Sequence, residues 1–148
     1  MIIGSIHAKE VVEKLWKTES VTKEDLGWNS QLRTYWEDDC HVECVQSRVN
    51  YDYEFQRDVS KLYITPLTER CYMSLMTALK LNLGGAPLGP AGVGKTETVK
   101  DLAKSLGKQC VVMNCSDQMD YIMMGKIFKG VASTGSWVCF DEFNRVCI

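Results

Sequence analysis

The N-terminal part of the chain carries apolar positions at two different periods. Over residues 5–19 apolar side chains recur at helical spacing, and over residues 28–36 they fall at i, i+4, i+7 and i+8. Both patterns predict helices. Over residues 49–55 aromatic and polar residues alternate with a period of two, which predicts a strand with its aromatic side chains packed on one sheet face. Residues 1–63 are therefore interpreted as a small α+β segment.

From residue 64 onward the pattern begins with a strong helix-start signal. Thr65 can accept from the orphan amides of a helix, and Pro66 at the first helical position gives up an amide that would have had no partner. We expect that helix to run to about Asn82 and to end at Gly84 and Gly85, which favour turns.

Strand-like stretches and helical stretches then alternate. Strands are predicted at residues 86–88, 110–114 and 137–140, and helices at residues 94–107 and 121–131. Strands that alternate with helices in this order are typical of a parallel sheet with helices on its faces. Residues 64–148 are therefore expected to form a partial α/β domain.

A glycine-rich loop matches the phosphate-binding pattern G-x-x-x-x-G-K-[ST] at each fixed position. Its glycines allow backbone amides to point at phosphate oxygens, and the following helix adds the positive end of its dipole. Lys95 supplies a charge for the β and γ phosphates, and the Thr96 hydroxyl is a hard ligand for Mg²⁺. An accidental glycine-rich turn is less favoured, because the loop follows a strand-like stretch and opens a helix. The predicted phosphate-binding residues are Gly89, Pro90, Ala91, Gly92, Val93, Gly94, Lys95 and Thr96.

A second acidic motif follows the apolar stretch at residues 137–140. Asp141 can hold the shell of a Mg²⁺ ion, and Glu142 can polarise a water for attack on the γ phosphate. An apolar strand that ends in Asp-Glu is also an ordinary turn in many proteins, but the upstream loop favours the catalytic interpretation. Asn114 ends the middle strand, where it either satisfies local backbone groups or bonds to Glu142 and holds it away from water.

The overall composition excludes several classes of protein. A net charge of -2 and a pI near 5.7 leave no basic surface for a nucleic-acid backbone, so no nucleic-acid partner is expected. No stretch has the apolar length of a membrane span and the start lacks a signal-peptide pattern, so no membrane partner is expected and the default compartment is the cytosol. The cysteines number 7, and we expect unpaired thiols. Cys40, His41 and Cys44 are too few for a zinc site.

Guanine-binding motifs do not follow the phosphate loop. No D-x-x-G lies downstream of it, and the match to [NT]-K-x-D at residues 22–25 lies upstream, where it could not meet the base. A GTPase is therefore not expected. A small-molecule kinase would not require Glu142 and stays open as an alternative.

Five stretches together resemble the first AAA+ module of dynein heavy chains. They read ITPLTERCY at 64–72, LNLGGAP at 81–87, GPAGVGKTET at 89–98, VMNCSD at 112–117 and DEFNR at 141–145. The upstream stretches WNSQLRTYWE at 28–37 and NYDYEF at 50–55 are similar to the end of the linker that precedes that module. The resemblance implies a partial P-loop AAA+ parallel sheet with flanking helices, preceded by a small α+β linker segment. The stretches at 82–87 and 110–117 look more axonemal than cytoplasmic.

The resemblance also implies roles for individual residues. Residues 89–96 with Glu97 would bind ATP, and Pro66 and Leu67 would line the adenine. Thr96 and Asp141 would hold Mg²⁺. Glu142 would be the catalytic base with Lys95 beside it, and Asn114 would be the switch partner of Glu142. In that family the first module is the principal ATPase, whose hydrolysis moves the linker and drives movement along microtubules. The implied partners are ATP, the remaining AAA+ modules, microtubules, and dynein intermediate and light chains. The implied location is the cytoplasmic cytoskeleton, in the axoneme of the cilium.

Two departures from the family pattern bear on the site. Val93 stands where the family's loop has threonine, and we expect little effect because this position contributes backbone. The sequence ends at Ile148, and residues 146–148 differ from the family pattern. We therefore expect the sensor strand, the helical lid and a neighbouring arginine finger to be missing, the last of which contributes about 10³ to 10⁵ in rate. The chain is expected to bind ATP weakly and to hydrolyse it negligibly. The alternatives are a degenerate product that serves as an interaction or structural element, and another AAA+ or P-loop ATPase.

Overall fold

The computed structural model describes residues 2–18, 22–57 and 60–145. Its helices are α1 (Ile2–Lys17), α2 (Leu26–Asn29), α3 (Pro66–Lys80), α4 (Lys95–Ser105) and α5 (Tyr121–Thr134), with a short 3₁₀ helix at Phe143–Arg145. Its strands are β1 (Arg33–Trp36), β2 (Cys40–Cys44), β3 (Ser47–Asn50), β4 (Cys110–Asn114) and β5 (Trp137–Asp141). The helix predicted over residues 5–19 is confirmed up to Lys17, and Glu19 lies outside the described residues.

An antiparallel sheet of β1, β2 and β3, in that order, forms the N-terminal part. The helix predicted over residues 28–36 is wrong, because α2 ends at Asn29 and the last four of these residues form β1. Side chains along β1 alternate between half-buried and exposed. The same apolar residues therefore fit a strand as well as a helix, and pairing with β2 decides between the two.

The strand predicted over residues 49–55 is correct only at its start, where it coincides with β3. Beyond β3 the backbone leaves the sheet, and amides in residues 52–54 donate to the carbonyls of Leu106 and Gly107 at 3.1 and 2.8 Å. Phe55 is 88% exposed, so the predicted packed aromatic face is also wrong at that position. The segment is held by the turn after α4 in place of a neighbouring strand.

The start of α3 confirms the signal at Thr65. The Thr68 amide donates to the Thr65 hydroxyl at 3.3 Å, and the Thr65 amide donates to the Thr68 hydroxyl at 2.7 Å, which is a capping box. The helix ends at Lys80, and Asn82 makes the left-handed turn with a φ of 55°. Asparagine tolerates that conformation better than most residues, so residues 84–85 are not what ends the helix and that prediction is wrong.

A second sheet pairs β4 and β5 in parallel, from Cys110 beside Trp137 to Asn114 beside Asp141. The two strands and the intervening α5 confirm the predicted strand, helix, strand order of a mixed α/β fold. The strand predicted at residues 86–88 is wrong, because within the described residues no strand lies beside it to pair with. The larger parallel sheet is therefore not formed by the described part of the chain.

An apolar core joins the antiparallel sheet to α3 and α4. Its buried members are Val42, Cys44, Tyr72, Met76, Leu102 and Leu106. Gly107 ends α4 with a φ of 63°, and its Cα faces the ring of Tyr51 so closely that a side chain would collide. Residues before and after the predicted boundary at residues 63 and 64 share this core, and the division into two domains stays a prediction.

The described cysteines carry free thiols. They are Cys40, Cys44, Cys71, Cys110, Cys115 and Cys139. Burial raises the pKa of Cys44 and of Cys110 to about 11. In the described ranges, no group of three His, Cys, Asp or Glu side chains gathers closely enough to hold a metal, and no helix is long and apolar enough to cross a membrane.

Candidate functional site

The phosphate-loop sequence reaches α4 through two glycines in the left-handed region. Gly92 has a φ of 78° and Gly94 a φ of 84°, a conformation that side-chain-bearing residues adopt at a cost. Gly94 is the N-cap of α4 and offers no side-chain hydrogen bond to the first amides of that helix. By contrast, Thr65 caps α3 with its hydroxyl. The start of α4 therefore presents amides and a helix dipole to an anion.

Lys95, the first residue of α4, folds its side chain back over the loop. Its Nζ donates to the carbonyl oxygens of Gly89 at 2.9 Å and Pro90 at 2.8 Å. The side chain is half-buried. Its positive charge is therefore held at the loop itself, beside the amides of the helix start.

Thr96 connects the loop to the acidic motif. Its hydroxyl donates to Oδ2 of Asp141 at 3.0 Å, so the first turn of α4 meets the carboxyl end of β5. Both residues are half-buried. A hydroxyl and a carboxylate are hard oxygen ligands of the kind that Mg²⁺ takes. Two motifs that are distant in the sequence thus contribute to one small group of oxygens.

Glu142 lies directly after β5 with a φ of 53°. Its amide donates to Oδ1 of Asp141 at 3.1 Å, and its carboxylate pairs with Nε of Arg145 at 3.4 Å. The sequence analysis missed Arg145, although its i, i+3 spacing from Glu142 is a signal for such a pair. Asn114 lies opposite Asp141 in the parallel register, one residue away from Glu142 along the strand end. Its role as a switch partner stays a prediction.

One cavity brings five predicted site residues together. It has a volume of about 1180 Å³ and is lined by Lys95, Asp141 and Glu142, with Gly89 and Ala91 from the loop. Elsewhere its walls are mainly apolar. Ligand pockets of proteins commonly measure about 300–1,000 Å³. A nucleotide-sized molecule can therefore be accommodated beside these charged groups.

A smaller cavity of about 480 Å³ lies between the start of α3 and the loop. Leu67, Val93 and Lys95 line it, so Lys95 borders both cavities. Pro66 is exposed and Leu67 is 71% exposed, which leaves this end of the site open to solvent.

The other predicted site residues line neither of these cavities. They are Pro66, Pro90, Gly92, Gly94, Thr96, Glu97 and Asn114. Among them Glu97 pairs with Lys100 at 2.7 Å on the exposed side of α4. That pair turns the Glu97 carboxylate toward its own helix.

ATP with Mg²⁺ fits the chemistry of this donor set. Helix-start amides and an ammonium group suit a polyphosphate, and the oxygens of Thr96 and Asp141 suit the metal. The apolar walls near Leu67 suit a planar base. The fold and the site thus define the class as α/β nucleotide-binding proteins.

Comparison with known families narrows this class. The family described as the hydrolytic ATP-binding site of the dynein motor region matches residues 51–148. The matched region contains α3, both motifs and the parallel strand pair. The match supports ATP as the nucleotide.

Relatives match across nearly the whole chain. Dynein axonemal heavy chain 3 of mouse is 58% identical over 147 residues, which is 99% of this chain and 4% of the relative. Human dynein axonemal heavy chain 1 is 54% identical over 100% of this chain and 4% of the relative. Human dynein axonemal heavy chain 2 is 53% identical over 100% of this chain and 3% of the relative. The chain belongs to the axonemal dynein heavy chain family and corresponds to the ATP-binding portion of the motor. It spans a few per cent of the length of these relatives.

Proposed function

We propose that this chain binds ATP together with Mg²⁺ at the site formed by residues 89–96 and Asp141. The observation that supports this most is the 3.0 Å hydrogen bond between Thr96 and Asp141, and Asp141 lines the same cavity as Lys95. The family description adds independent support for ATP. Bound Mg²⁺ would neutralise charge on the phosphate oxygens.

Each proposed contact follows from where the group lies. The loop amides and Lys95 hold the phosphates, and Thr96 with Asp141 holds the metal. The base lies against Leu67 in the smaller cavity, next to the exposed Pro66 at the start of α3. Loop glycines at positive φ allow the backbone to approach the phosphates closely.

Glu142 is proposed to orient the attacking water, because it follows Asp141 directly and borders the larger cavity. Its pairing with Arg145 draws the carboxylate away from that role until the pair separates. Asn114, at the end of the neighbouring strand, is proposed as an alternative partner for the same carboxylate.

The whole protein's activity is a further proposal, because the chain spans only 3–4% of the relatives' length. By resemblance, that activity is ATP hydrolysis coupled to movement along microtubules in the axoneme. The remaining AAA+ modules and the intermediate and light chains would be its partners. The described contacts between residues 52–54 and the turn after α4 support a connection between the linker-like segment and the ATP site.

Calorimetric titration of the chain with ATP and Mg²⁺ tests the proposed binding. Wild type should give saturable heat, and Lys95→Ala should weaken binding by at least about tenfold, since hydrogen bonds to charged groups contribute about 1.5–3 kcal/mol. Lys126→Ala, which removes an exposed lysine from α5, should bind like wild type. Absence of heat in all three proteins would favour the alternative of a structural or interaction element without nucleotide.

Turnover is a separate measurement on the same proteins. We expect slow release of phosphate, because the Glu142 carboxylate is paired with Arg145. Rapid hydrolysis that disappears in Lys95→Ala would contradict this expectation while supporting the binding site.

A further inference from the structure

Asp101 is a buried carboxyl group on α4, 6% exposed, with both oxygens engaged by other segments. Oδ2 accepts a hydrogen bond from the Tyr72 hydroxyl at 2.7 Å. Oδ1 accepts one from the backbone amide of Leu62 at 3.0 Å. Burying a carboxyl group is costly unless it is hydrogen-bonded, so these partners account for its place in the core.

Asp101 and Tyr72 lie equally far along their helices from the ends that border the proposed nucleotide site. Asp101 is six residues beyond Lys95, which is about 1.7 turns or about 9 Å along α4, and Tyr72 is equally far beyond Pro66 along α3. Leu62 precedes the N-cap of α3. One side chain therefore ties the phosphate-loop helix to α3 and to the segment that leads into α3.

We infer that Asp101 is a positioning residue that fixes the separation between the phosphate-binding loop and the adenine-binding start of α3. The inference rests on the proposed function. A ligand that touches both ends of the site, such as ATP, depends on that separation. A ligand that touches only the loop, such as inorganic tripolyphosphate, does not.

The fold has other contacts that keep α3 and α4 together. Met76 and Leu106 are fully buried in the apolar core, and they lie further along α3 and past the end of α4 than Tyr72 and Asp101 do. Loss of the carboxyl group should therefore loosen the spacing at the ligand end of the helices while the core remains packed. This separates a positioning role from a general role in stability.

Chemical-shift titrations that give the dissociation constants of Mg-ATP and Mg-tripolyphosphate test the inference. Asp101→Ala should weaken ATP by about tenfold and tripolyphosphate by less than about twofold, since two hydrogen bonds to a charged group are lost. Tyr72→Phe should shift the ratio of the ATP dissociation constant to the tripolyphosphate dissociation constant in the same direction by a smaller factor. Asp101→Asn keeps an acceptor for Leu62 and should restore most of the wild-type ratio. Val42→Ala, a cavity in the same core, should lower the melting temperature and leave the ratio unchanged.

Equal weakening of both ligands by Asp101→Ala and Tyr72→Phe would overturn the positioning role. If Asp101→Ala does not fold, Tyr72→Phe decides, and a wild-type ratio of the two dissociation constants in that variant would also overturn it. If the wild-type chain binds neither ligand, that result would contradict both the proposed function and the inference. Binding that depends on Lys95, with a ratio unaffected at Asp101, would remove the inference alone.

Discussion

The Thr96 hydroxyl donates to the Asp141 carboxylate at 3.0 Å, which joins the first turn of α4 to the end of β5. The two residues belong to motifs that the sequence separates by a strand and a helix beyond α4. Because a hydroxyl and a carboxylate at this distance can share one cation, the contact is the simplest structural basis for a metal-dependent nucleotide site.

Replacing the Thr96 hydroxyl or the Asp141 carboxylate should reduce the metal dependence of ATP binding. In wild type, Mg²⁺ should lower the ATP dissociation constant. In Thr96→Val, which loses a ligand, and in Asp141→Asn, which loses a charge, the factor by which Mg²⁺ lowers it should be at least about tenfold smaller. The measurement is the ATP dissociation constant with Mg²⁺ and with a chelator. Thr77→Val is the matched control, since its exposed hydroxyl donates only within α3, to Met73. A Thr96→Val protein with full Mg²⁺ dependence would argue against the shared cation.

Gly107 should be intolerant of a side chain for two separable reasons. It has a φ of 63°, and an added Cβ would lie 2.5 Å from Cζ of Tyr51. Gly107→Ala should therefore lower the free energy of unfolding by more than about 2 kcal/mol. Gly135→Ala, with a φ of 68° and open space around it, should lower it by about 1–2 kcal/mol.

Denaturant unfolding of both alanine variants provides the comparison, and Tyr51→Ala supplies the background in which the collision is removed. In that background the two glycine substitutions should have similar effects. A Gly107→Ala penalty that persists at full size without the Tyr51 ring would show that the contact between this segment and α4 is not what limits the position.

Local signals explain which parts of the fold the sequence predicts. The capping residues at Thr65 and the apolar run of β5 are decided by neighbouring residues, and both are confirmed. The stretch at residues 28–36 is different, because its apolar positions satisfy two periods and only pairing with β2 selects the strand. The stretch at residues 86–88 lacks a strand beside it within the described residues, which no local pattern reveals.

In the candidate site, too, local sequence patterns predict some features, while other features depend on residues far apart in the chain. The conformation of the loop can be predicted from its sequence, since glycines at 92 and 94 adopt the left-handed backbone conformation. The contacts of Asp101 with Leu62 and Tyr72 join residues far apart in the chain, so a single sequence has no signal for them. The roles of Asn114 and Glu142 depend on what is bound, and they stay predictions.

Alkaline pH should destabilise the fold through the buried thiol of Cys44 and the half-buried thiol of Cys110. Burial raises the pKa of Cys44 and Cys110 from 9.0 to about 11, and burial together with the Asp101 hydrogen bond raises that of Tyr72. Because the unfolded chain releases these protons first, their contribution to stability is complete below about pH 9 and is lost as pH rises toward 11.

Urea unfolding at a series of pH values measures this loss. The free energy of unfolding should fall steadily above about pH 9, and the fall should be shallower in a Cys44→Ala, Cys110→Ala double variant. A wild-type curve that is flat over this interval, or an equally steep curve in the double variant, would show that these thiols do not carry the effect.

The loop and the acidic motif are proposed to bind one metal-nucleotide complex together. Mn²⁺-ATP added to isotope-labelled chain tests it directly, because the paramagnetic ion broadens amide signals near it. The signals of Thr96 and Asp141 should broaden together, excess Mg²⁺-ATP should reverse the broadening, and Lys95→Ala should prevent it. Broadening confined to exposed carboxylates such as Asp38 and Asp39, with the signals of Thr96 and Asp141 unchanged, would contradict the account.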